Sequence, residues 1–220
     1  MKASPIRCLV TAGPTREYLD PVRFLSNPSS GKMGYALAKA AIDRGWEVDL
    51  VSGPVALTSP KEARFHEIET AEQLKSSLLD LFPQCDVLLM AAAVSDFRPA
   101  QQLARKEKKQ EARHVLDLVP TPDSLWELGR QKGKRVLVGF AAETEDLEEN
   151  GLRKLQDKNL DWIAVNRVGS RIGFQSDENK ILLLGADGSR RTLGPAPKVE
   201  VARDLLEVLA LDSAFNTFSA

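Results

Sequence analysis

The sequence predicts an α/β protein built on a doubly wound, mostly parallel β-sheet, which ends in a C-terminal β-hairpin and a helix. Two observations support this fold class. Short apolar runs alternate with stretches of helical periodicity along most of the chain, and an Asp187-Gly188 turn signal separates two strand-like runs near its end. Apolar strands without polar alternation indicate a parallel sheet that helices cover on both faces. We therefore expect ligands at the carboxyl ends of the strands.

The first half of the chain sets up this alternation. Met33, Leu37 and Ala41 recur at helical spacing, and Gly45 stands where that helix would end. A polar stretch at 95–114 follows the third strand. The predicted elements are a strand at 7–11, a helix at 31–44, a strand at 46–51, a helix at 71–82 and a strand at 86–93.

The second half continues the same rhythm until the tail. Thr144 is predicted to cap the helix at 145–157. The predicted elements are a helix at 122–131, a strand at 136–142, a helix at 145–157, a strand at 161–165, hairpin strands at 180–184 and 190–193, and a helix at 198–210. Since no repeat or linker interrupts them, we predict a single domain over 1–220.

Composition excludes several classes of function. The formal net charge is −1, so no general basic field points to nucleic acid. No apolar run is long enough to cross a bilayer and no secretory signal is recognisable, so we expect a cytoplasmic protein. Cys8 and Cys85 lie in apolar runs and are expected to be reduced core thiols. His66 and His114 lack metal-ligand spacing and are expected to be structural.

A stretch at 20–34, between the first strand and the first long helix, is the first candidate for chemistry. Its small residues would let a ligand approach the backbone, and the helix start offers free N–H groups. It is not a P-loop, because Ser26 stands where that motif needs Gly and Met33 where it needs Ser or Thr. An anion-binding loop and a tight structural turn both fit.

Three further stretches carry polar groups near predicted strand ends. Asp96 follows three alanines, and either a ligand contact or a turn cap explains it. The basic run at 105–109 fits a mobile loop over a phosphate or an ordinary solvated surface. Lys154 and Lys158 share a helix face, where an anion between them or the helix dipole would account for their charge.

Together these stretches resemble the phosphopantothenate–cysteine ligases, the synthetase half of the usual bacterial bifunctional coenzyme A enzyme. The similarity runs from about residue 6 to 211, and its motifs occur in family order. The motifs are Thr11-Ala-Gly-Pro-Thr-Arg-Glu17, Asp20-Pro-Val-Arg-Phe-Leu-Ser-Asn-Pro-Ser-Ser-Gly-Lys-Met-Gly34, Val51-Ser-Gly-Pro-Val55, Ala91-Ala-Ala-Val-Ser-Asp-Phe-Arg-Pro99 and Val138-Gly-Phe-Ala-Ala-Glu-Thr144.

The resemblance implies a Rossmann-like fold and a two-step reaction. The carboxylate of 4′-phosphopantothenate would attack the α-phosphorus of CTP with Mg²⁺ as cofactor, and the amine of L-cysteine would then displace CMP from the acyl-cytidylate. It also implies a homodimer, with a flap and dimerisation segment at about 95–120. A flavoprotein decarboxylase would act beside it, either as a separate partner or within a longer chain.

The same resemblance assigns roles to individual residues. Asn27 and Arg23 would act on the activated carboxylate, and Lys106 would be the first lysine of a flap that assists the second step. Nucleotide contacts fall on Met90, Ala91, Ala92, Asp96, Lys106, Pro122, Asp123, Ser124, Leu125, Phe140, Lys154 and Lys158. The loop chemistry assigns phosphate contacts to Ser30, Gly31, Lys32 and Gly34.

Some alternatives stay open. Glu107 replaces the apolar residue usual inside the lysine motif and adds negative charge to the flap. ATP in place of CTP is an alternative nucleotide, and a non-catalytic nucleotide-binding module is an alternative function. A nicotinamide-dependent reductase is disfavoured, because the sequence lacks the glycine fingerprint and a Tyr-x-x-x-Lys relay.

Overall fold

The computed structural model describes residues 4–106, 108, 115–168 and 177–211. The strands are β1 (Arg7–Ala12), β2 (Arg16–Tyr18), β3 (Phe24–Ser26), β4 (Glu47–Ser52), β5 (Arg64–Glu67), β6 (Val87–Met90), β7 (Phe97–Pro99), β8 (Leu118–Pro120), β9 (Val136–Glu143), β10 (Trp162–Arg167), β11 (Glu178–Gly185) and β12 (Arg190–Pro197). The α-helices are α1 (Lys32–Asp43), α2 (Ala71–Leu81), α3 (Ser124–Arg130), α4 (Leu147–Asp157) and α5 (Lys198–Leu211). None of the helices within these ranges is both long and apolar enough to span a membrane.

The central sheet has eight strands in the order β12-β11-β10-β9-β6-β1-β4-β5. The six strands from β10 to β5 in that order run parallel, and β11 and β12 form the antiparallel hairpin at one edge. From β1 the chain proceeds to β4 and β5 on one side and then returns to β6 on the other. The strand order therefore reverses between β1 and β6, where doubly wound sheets bind ligands.

Helices cover both faces of this sheet, which confirms the doubly wound fold. Buried side chains of α1 and α5 form one apolar cluster with one face of the strands. Side chains of α2, α3 and α4 form the other. Leu9 and Val10 are adjacent in β1 and belong to opposite clusters, so successive residues of this strand are apolar because both of its faces are buried.

Five short strands were not predicted. The hairpin pairs β2–β3 and β7–β8 form separate two-stranded sheets, and β5 adds an edge strand to the main sheet. Each of the hairpin strands has only three residues, too few to show a period of two. β5 is mostly exposed, so the apolar signal of a buried strand is missing from it.

Two predicted boundaries were wrong. The strand predicted at 86–93 ends at Met90, because the chain then leaves the sheet and Ala93 bridges to Pro14 instead. Thr144 does not cap α4: that helix begins at Leu147, and Asp146 occupies the N-cap position in a left-handed conformation with φ 46°. Other boundaries differ by a few residues at most.

Glu17 illustrates how the first motif stabilises the fold. It is buried, and its Oε1 accepts the backbone N–H of Ala71 at the start of α2 over 2.9 Å. Replacing Glu17 by alanine would leave this buried N–H without its acceptor, so we expect a loss of about 1–3 kcal/mol in unfolding free energy. Urea unfolding measures this loss. The exposed Glu62→Ala variant is the control, and equal stability of the two variants would contradict the assignment.

Candidate functional site

A cavity of about 540 Å³ opens at the carboxyl ends of the central strands, beside the point where the strand order reverses. Its walls come from the stretch before α1, from the chain leaving β6, from the start of α3, and from β9, β10 and α4. This is the place that the fold class predicts for a ligand site. Its size suits a small organic ligand such as a nucleotide.

The loop before α1 brings backbone donors to the cavity. Gly31 has φ 74°, a left-handed conformation that favours glycine, and α1 begins at the next residue. The N-cap residue Gly31 makes no side-chain cap hydrogen bond, and the residues at this helix start, Ser30, Gly31 and Lys32, line the cavity. Gly34 also lines the cavity, and a Cβ added to it would lie 2.5 Å from the Ala12 Cβ.

Asn27 is held at the cavity by its amide nitrogen. Its Nδ2 donates to the backbone oxygens of Val94 at 2.9 Å and Ala93 at 3.3 Å. The half-buried side chain therefore links the loop before α1 to the chain that leaves β6. Within the described ranges no hydrogen bond is assigned to its Oδ1, which can accept one from a ligand.

The chain leaving β6 is itself fixed by threonine hydroxyls. Thr11 Oγ1 accepts the N–H of Ala92 at 3.0 Å, and Thr15 Oγ1 accepts the N–H of Ser95 at 3.0 Å. Both threonines are fully buried. The small side chains of Ala91 and Ala92 are thus presented to the cavity on a backbone that is hydrogen-bonded at both ends of the segment.

Arg23 lies outside the cavity lining. Its Nε and Nη2 donate to Oδ2 of Asp20 at 2.9 and 2.5 Å, and its side chain is about half exposed. Asp20 is completely buried, and its other oxygen accepts the N–H of Val22 and of Arg23 itself. The buried carboxylate orients the guanidinium, but the structure does not bring Arg23 to Asn27's cavity.

Each lysine of the predicted pair has a carboxylate partner. Lys154 Nζ lies 2.6 Å from Glu143 Oε1, and Lys158 Nζ lies 2.8 Å from Asp123 Oδ2. Asp123 also accepts the N–H of Trp126 and so caps α3. Both lysines line the cavity, so these ion pairs place their charges at its wall.

Lys106 is exposed and does not line the cavity in this structure. Glu107, Lys109 and His114, which the sequence singled out, lie outside the described residues. The role expected for Lys106 therefore stays a prediction. The other nucleotide and phosphate residues named from the sequence do line the cavity, namely Ser30, Gly31, Lys32, Gly34, Met90, Ala91, Ala92, Asp96, Pro122, Asp123, Ser124, Leu125, Phe140, Lys154 and Lys158.

Sequence reasoning missed several polar residues of this cavity, three of them in the C-terminal third of the chain. Asn166 lies in β10, Asn179 in β11, and Lys198 is the first residue of α5. Lys198 is buried, and desolvation, followed by repulsion from Lys32, holds the pKa of its ammonium group below the usual value. Their spacing gives no sequence signal, because only the sheet order brings them beside the loop before α1.

No cluster of three metal-ligating side chains occurs among the residues for which the structure gives positions. Cys8 and Cys85 form no disulfide and are buried, and burial raises the pKa of Cys85 to about 12. A thiol in this environment is a poor metal ligand and a poor nucleophile. His66 is bound to Asp49, with 2.8 Å between Nε2 and Oδ1, at the sheet edge away from the cavity. The expected structural roles of Cys8, Cys85 and His66 agree with these positions.

Comparison with known proteins identifies close relatives. The coenzyme A biosynthesis bifunctional protein CoaBC of Bacillus subtilis strain 168 is 44% identical over 204 residues, which cover 92% of this chain and 50% of the relative. The crystal structure of the C-terminal domain of a CoaBC protein has a TM-score of 0.81 at 40% identity and covers 94% of this chain and 95% of that one. A DNA/pantothenate metabolism flavoprotein from Streptococcus pneumoniae gives 0.80 at 25% identity, with coverage of 93% and 98%.

The chain spans about half the length of the curated relatives that it matches. The family described as the DNA/pantothenate metabolism flavoprotein C-terminal domain matches residues 4–211, which is nearly the whole chain. That match and the similarity to the CoaBC relatives confirm the resemblance carried by the sequence motifs. The chain therefore belongs to the DNA/pantothenate metabolism flavoprotein C-terminal domain family.

Proposed function

We propose that this protein is a phosphopantothenate–cysteine ligase of coenzyme A biosynthesis. It would join 4′-phosphopantothenate to L-cysteine through an acyl-cytidylate, consuming CTP and releasing pyrophosphate and CMP. The observation that carries the proposal is the position of Asn27, whose amide is anchored to the Ala93 and Val94 carbonyls beside a cavity of nucleotide size. The family relationship to CoaBC proteins supports it.

The geometry suits a reaction that needs orientation more than a strong base. The attacking carboxylate is already anionic, so bringing it to an anionic phosphate requires positioned cations and hydrogen-bond donors. The cavity supplies Lys32, Lys154 and Lys158 together with the residues at the start of α1, which Gly31 does not cap with a side chain. A buried Ser-His-Asp or Cys-His arrangement is not needed for this chemistry.

Each step then uses groups of this chain for positioning. The phosphopantothenate carboxylate attacks the α-phosphorus, and pyrophosphate departs with the electrons of the broken P–O bond. The cysteine amine next attacks the acyl carbon, CMP departs, and the amine loses a proton to solvent. We propose that Asn27 orients the acyl group in both steps, with Lys106 and Arg23 acting when a flap at about 95–120 closes.

Mg²⁺ fits the donors present. Asp96 is an exposed carboxylate at the cavity wall, while Asp123 is engaged by Lys158. Carboxylate and phosphate oxygens are the ligands Mg²⁺ prefers, and nucleotide sites commonly supply only one or two carboxylates. Bound there, the ion would neutralise charge on the phosphates. Asp96 is the residue that would hold it.

The test is pyrophosphate release by the purified chain with Mg²⁺ and 4′-phosphopantothenate, comparing CTP with ATP, with and without cysteine. We expect release that depends on phosphopantothenate and is faster with CTP. Faster release with ATP would mean that ATP, and not CTP, is the nucleotide substrate. No release with either nucleotide from a folded protein would overturn ligase activity and favour a nucleotide-binding module.

Lys158 offers a test of nucleotide contacts at the cavity wall near the end of α4. Replacing it with methionine removes a cation at the cavity and leaves Asp123 without that partner, so we expect the KM for the nucleotide to rise about tenfold or more. Steady-state kinetics measures the change. The exposed Lys134→Met variant is the control. An unchanged KM in the Lys158 variant would exclude a contact between Lys158 and the nucleotide.

We propose in addition that the chain acts as a homodimer. Exposed apolar side chains lie on and beside the strand pairs β2–β3 and β7–β8, namely Phe24 of β3, Phe97 of β7, Leu118 of β8 and Val115 just before β8, and apolar patches on a surface commonly mark interfaces. Replacing Phe97 by lysine would place a charge in that patch and is expected to weaken the dimer at least about tenfold. Light scattering across a concentration series measures it. A wild-type monomer at all concentrations would contradict the dimer.

A further inference from the structure

We propose that Thr15 is the positioning residue for Asn27, because it binds both the backbone that leads to Asn27 and the segment to which the Asn27 amide donates. The inference rests on the proposed function, in which Asn27 orients the acyl group. Thr15 lies in the loop after β1, is fully buried and does not line the cavity, so it would act through Asn27 and not on a substrate. No role was assigned to Thr15 from the sequence motif that contains it.

The first contact of Thr15 is with the segment that carries the acceptors of the Asn27 amide. Thr15 Oγ1 accepts the N–H of Ser95 at 3.0 Å, and the Thr15 N–H donates to the Ala93 oxygen at 3.3 Å. Asn27 Nδ2 donates to the same Ala93 oxygen at 3.3 Å and to the Val94 oxygen at 2.9 Å. A carbonyl oxygen has two lone pairs and can accept both donors. Thr15 therefore fixes the residues on both sides of Val94, which supplies the shorter of the two Asn27 contacts.

The second contact is with the strand that leads to Asn27. Ser26 is the last residue of β3, and its Oγ donates to the Thr15 backbone oxygen at 2.7 Å. Asn27 follows directly in the chain, so this hydrogen bond fixes the point from which its side chain starts. The N–H, the carbonyl and the hydroxyl oxygen of Thr15 thus all bind the two segments between which the Asn27 side chain is held.

The nucleotide part of the cavity has anchors of its own. Thr121 Oγ1 donates to the Ser95 oxygen at 2.5 Å, and the Thr121 N–H donates to the Asp96 oxygen at 3.0 Å. These contacts do not involve Thr15. Loss of the Thr15 hydroxyl is therefore expected to displace Asn27 more than Asp96, and to act on kcat more than on the KM for the nucleotide.

The test compares Thr15→Val, Thr15→Ser and Thr70→Val in the full chain. Valine keeps the shape of threonine but offers no acceptor, so the N–H of the buried Ser95 would lose its partner and the segment would move. We expect Thr15→Val to lower kcat about tenfold or more, with the KM for the nucleotide within about threefold of wild type, and Thr15→Ser to restore most of the kcat. Thr70 is the matched control and is expected to keep its kinetics, because its Oγ1 accepts the N–H of Gln73 at the start of α2, outside the cavity.

A double-mutant cycle distinguishes positioning from a general loss of packing. If Thr15 acts through Asn27, the effect of Thr15→Val on kcat falls below about twofold in an Asn27→Ala background. A loss of about tenfold in both backgrounds would overturn the positioning role, because the two residues would then act independently. Unchanged kcat in a folded Thr15→Val variant would overturn it as well. If Thr15→Val does not fold, Ser26→Ala carries the same expectation, because Ser26 is an exposed residue of β3 and tolerates the change, and unchanged kcat in that variant would then overturn the role.

A measurement without turnover separates this inference from the proposed function. The Asn27 side-chain amide gives a proton–nitrogen NMR signal, which is assigned by its absence from the spectrum of Asn27→Ala. We expect this signal to shift or broaden in Thr15→Val and to keep its wild-type position in Thr70→Val. If the wild type catalyses no ligation and the signal still depends on Thr15, the proposed function fails and the positioning of Asn27 stands. An unmoved signal in Thr15→Val would overturn the positioning role, whatever the activity of the wild type.

Discussion

Replacing Asn27 with alanine is expected to lower kcat/KM for ligation by on the order of 100-fold or more. The side chain is anchored through Nδ2 to the Ala93 and Val94 carbonyls, so its Oδ1 has a fixed position at the cavity. Truncation removes that oriented oxygen and also the link between the loop before α1 and the chain after β6. The loss of the oriented oxygen raises the barrier of the reaction, and the loss of the link is expected to lower the unfolding free energy by about 1–3 kcal/mol.

The measurement is product formation under substrate saturation and at low substrate, alongside thermal unfolding. Asn150→Ala is the matched control, because Asn150 also donates its amide to a backbone carbonyl, that of Glu145, but lies outside the cavity. We expect the control to keep its activity. Activity of Asn27→Ala within about threefold of wild type would show that orientation by Asn27 contributes little to the barrier.

Asn27→Asp refines the same prediction. A carboxylate cannot donate to the Ala93 and Val94 carbonyls, and at neutral pH it would repel both those oxygens and an anionic substrate. We therefore expect an effect at least as large as that of alanine. Separate assays of pyrophosphate release and of amide product identify which of the two steps is slowed. Activity exceeding that of the alanine variant would contradict the electrostatic argument.

The sheet was predictable because its central strands are buried on both faces. β1 and β6 are apolar at successive residues, as parallel strands between two helix layers must be. The hairpins β2–β3 and β7–β8 were not predictable in the same way. Their three-residue strands carry no period, and hydrogen bonds from segments distant in sequence hold them, from Leu103 N–H to the Leu19 carbonyl beside β2 and from Ala100 N–H to the Asp117 carbonyl beside β8.

The site was predictable where it coincides with motifs and not where the fold alone assembles it. The loop before α1 is one continuous stretch of sequence, and the alanines after β6 are another. Both stretches line the cavity. Lys198 instead resembles any polar residue opening an amphipathic helix. Only the placement of α5 beside α1 brings it near Lys32. For Lys154 and Lys158, spacing predicted the shared wall but could not show the carboxylates opposite them.

Gly34 belongs to a sequence motif and also to the packing of α1 on β1. Replacing it with alanine is expected to weaken nucleotide binding about tenfold and to lower the unfolding free energy by about 1–3 kcal/mol. The sequence suggested a phosphate contact for Gly34. The structure supplies a packing reason, because an added Cβ would lie 2.5 Å from the Ala12 Cβ and 2.7 Å from the Thr11 carbonyl oxygen. Neither neighbour is the end of a flexible side chain, so α1 itself must move away from β1.

Two opposing effects decide whether Gly34→Ala stabilises or destabilises the fold. Alanine favours helix over glycine by about 1 kcal/mol, but overpacking at backbone atoms costs more, so we expect net destabilisation. The shift would also displace the first turn of α1, which lines the cavity with Gly31 and Lys32. Gly45→Ala is the control, since its Cβ would meet nothing within 4 Å and only its φ of 78° is strained. Urea unfolding and calorimetric titration with the nucleotide therefore separate the two variants: both lose stability, and only Gly34→Ala is expected to lose affinity. Wild-type affinity in Gly34→Ala would mean that the position of α1 on β1 does not control the phosphate end of the site.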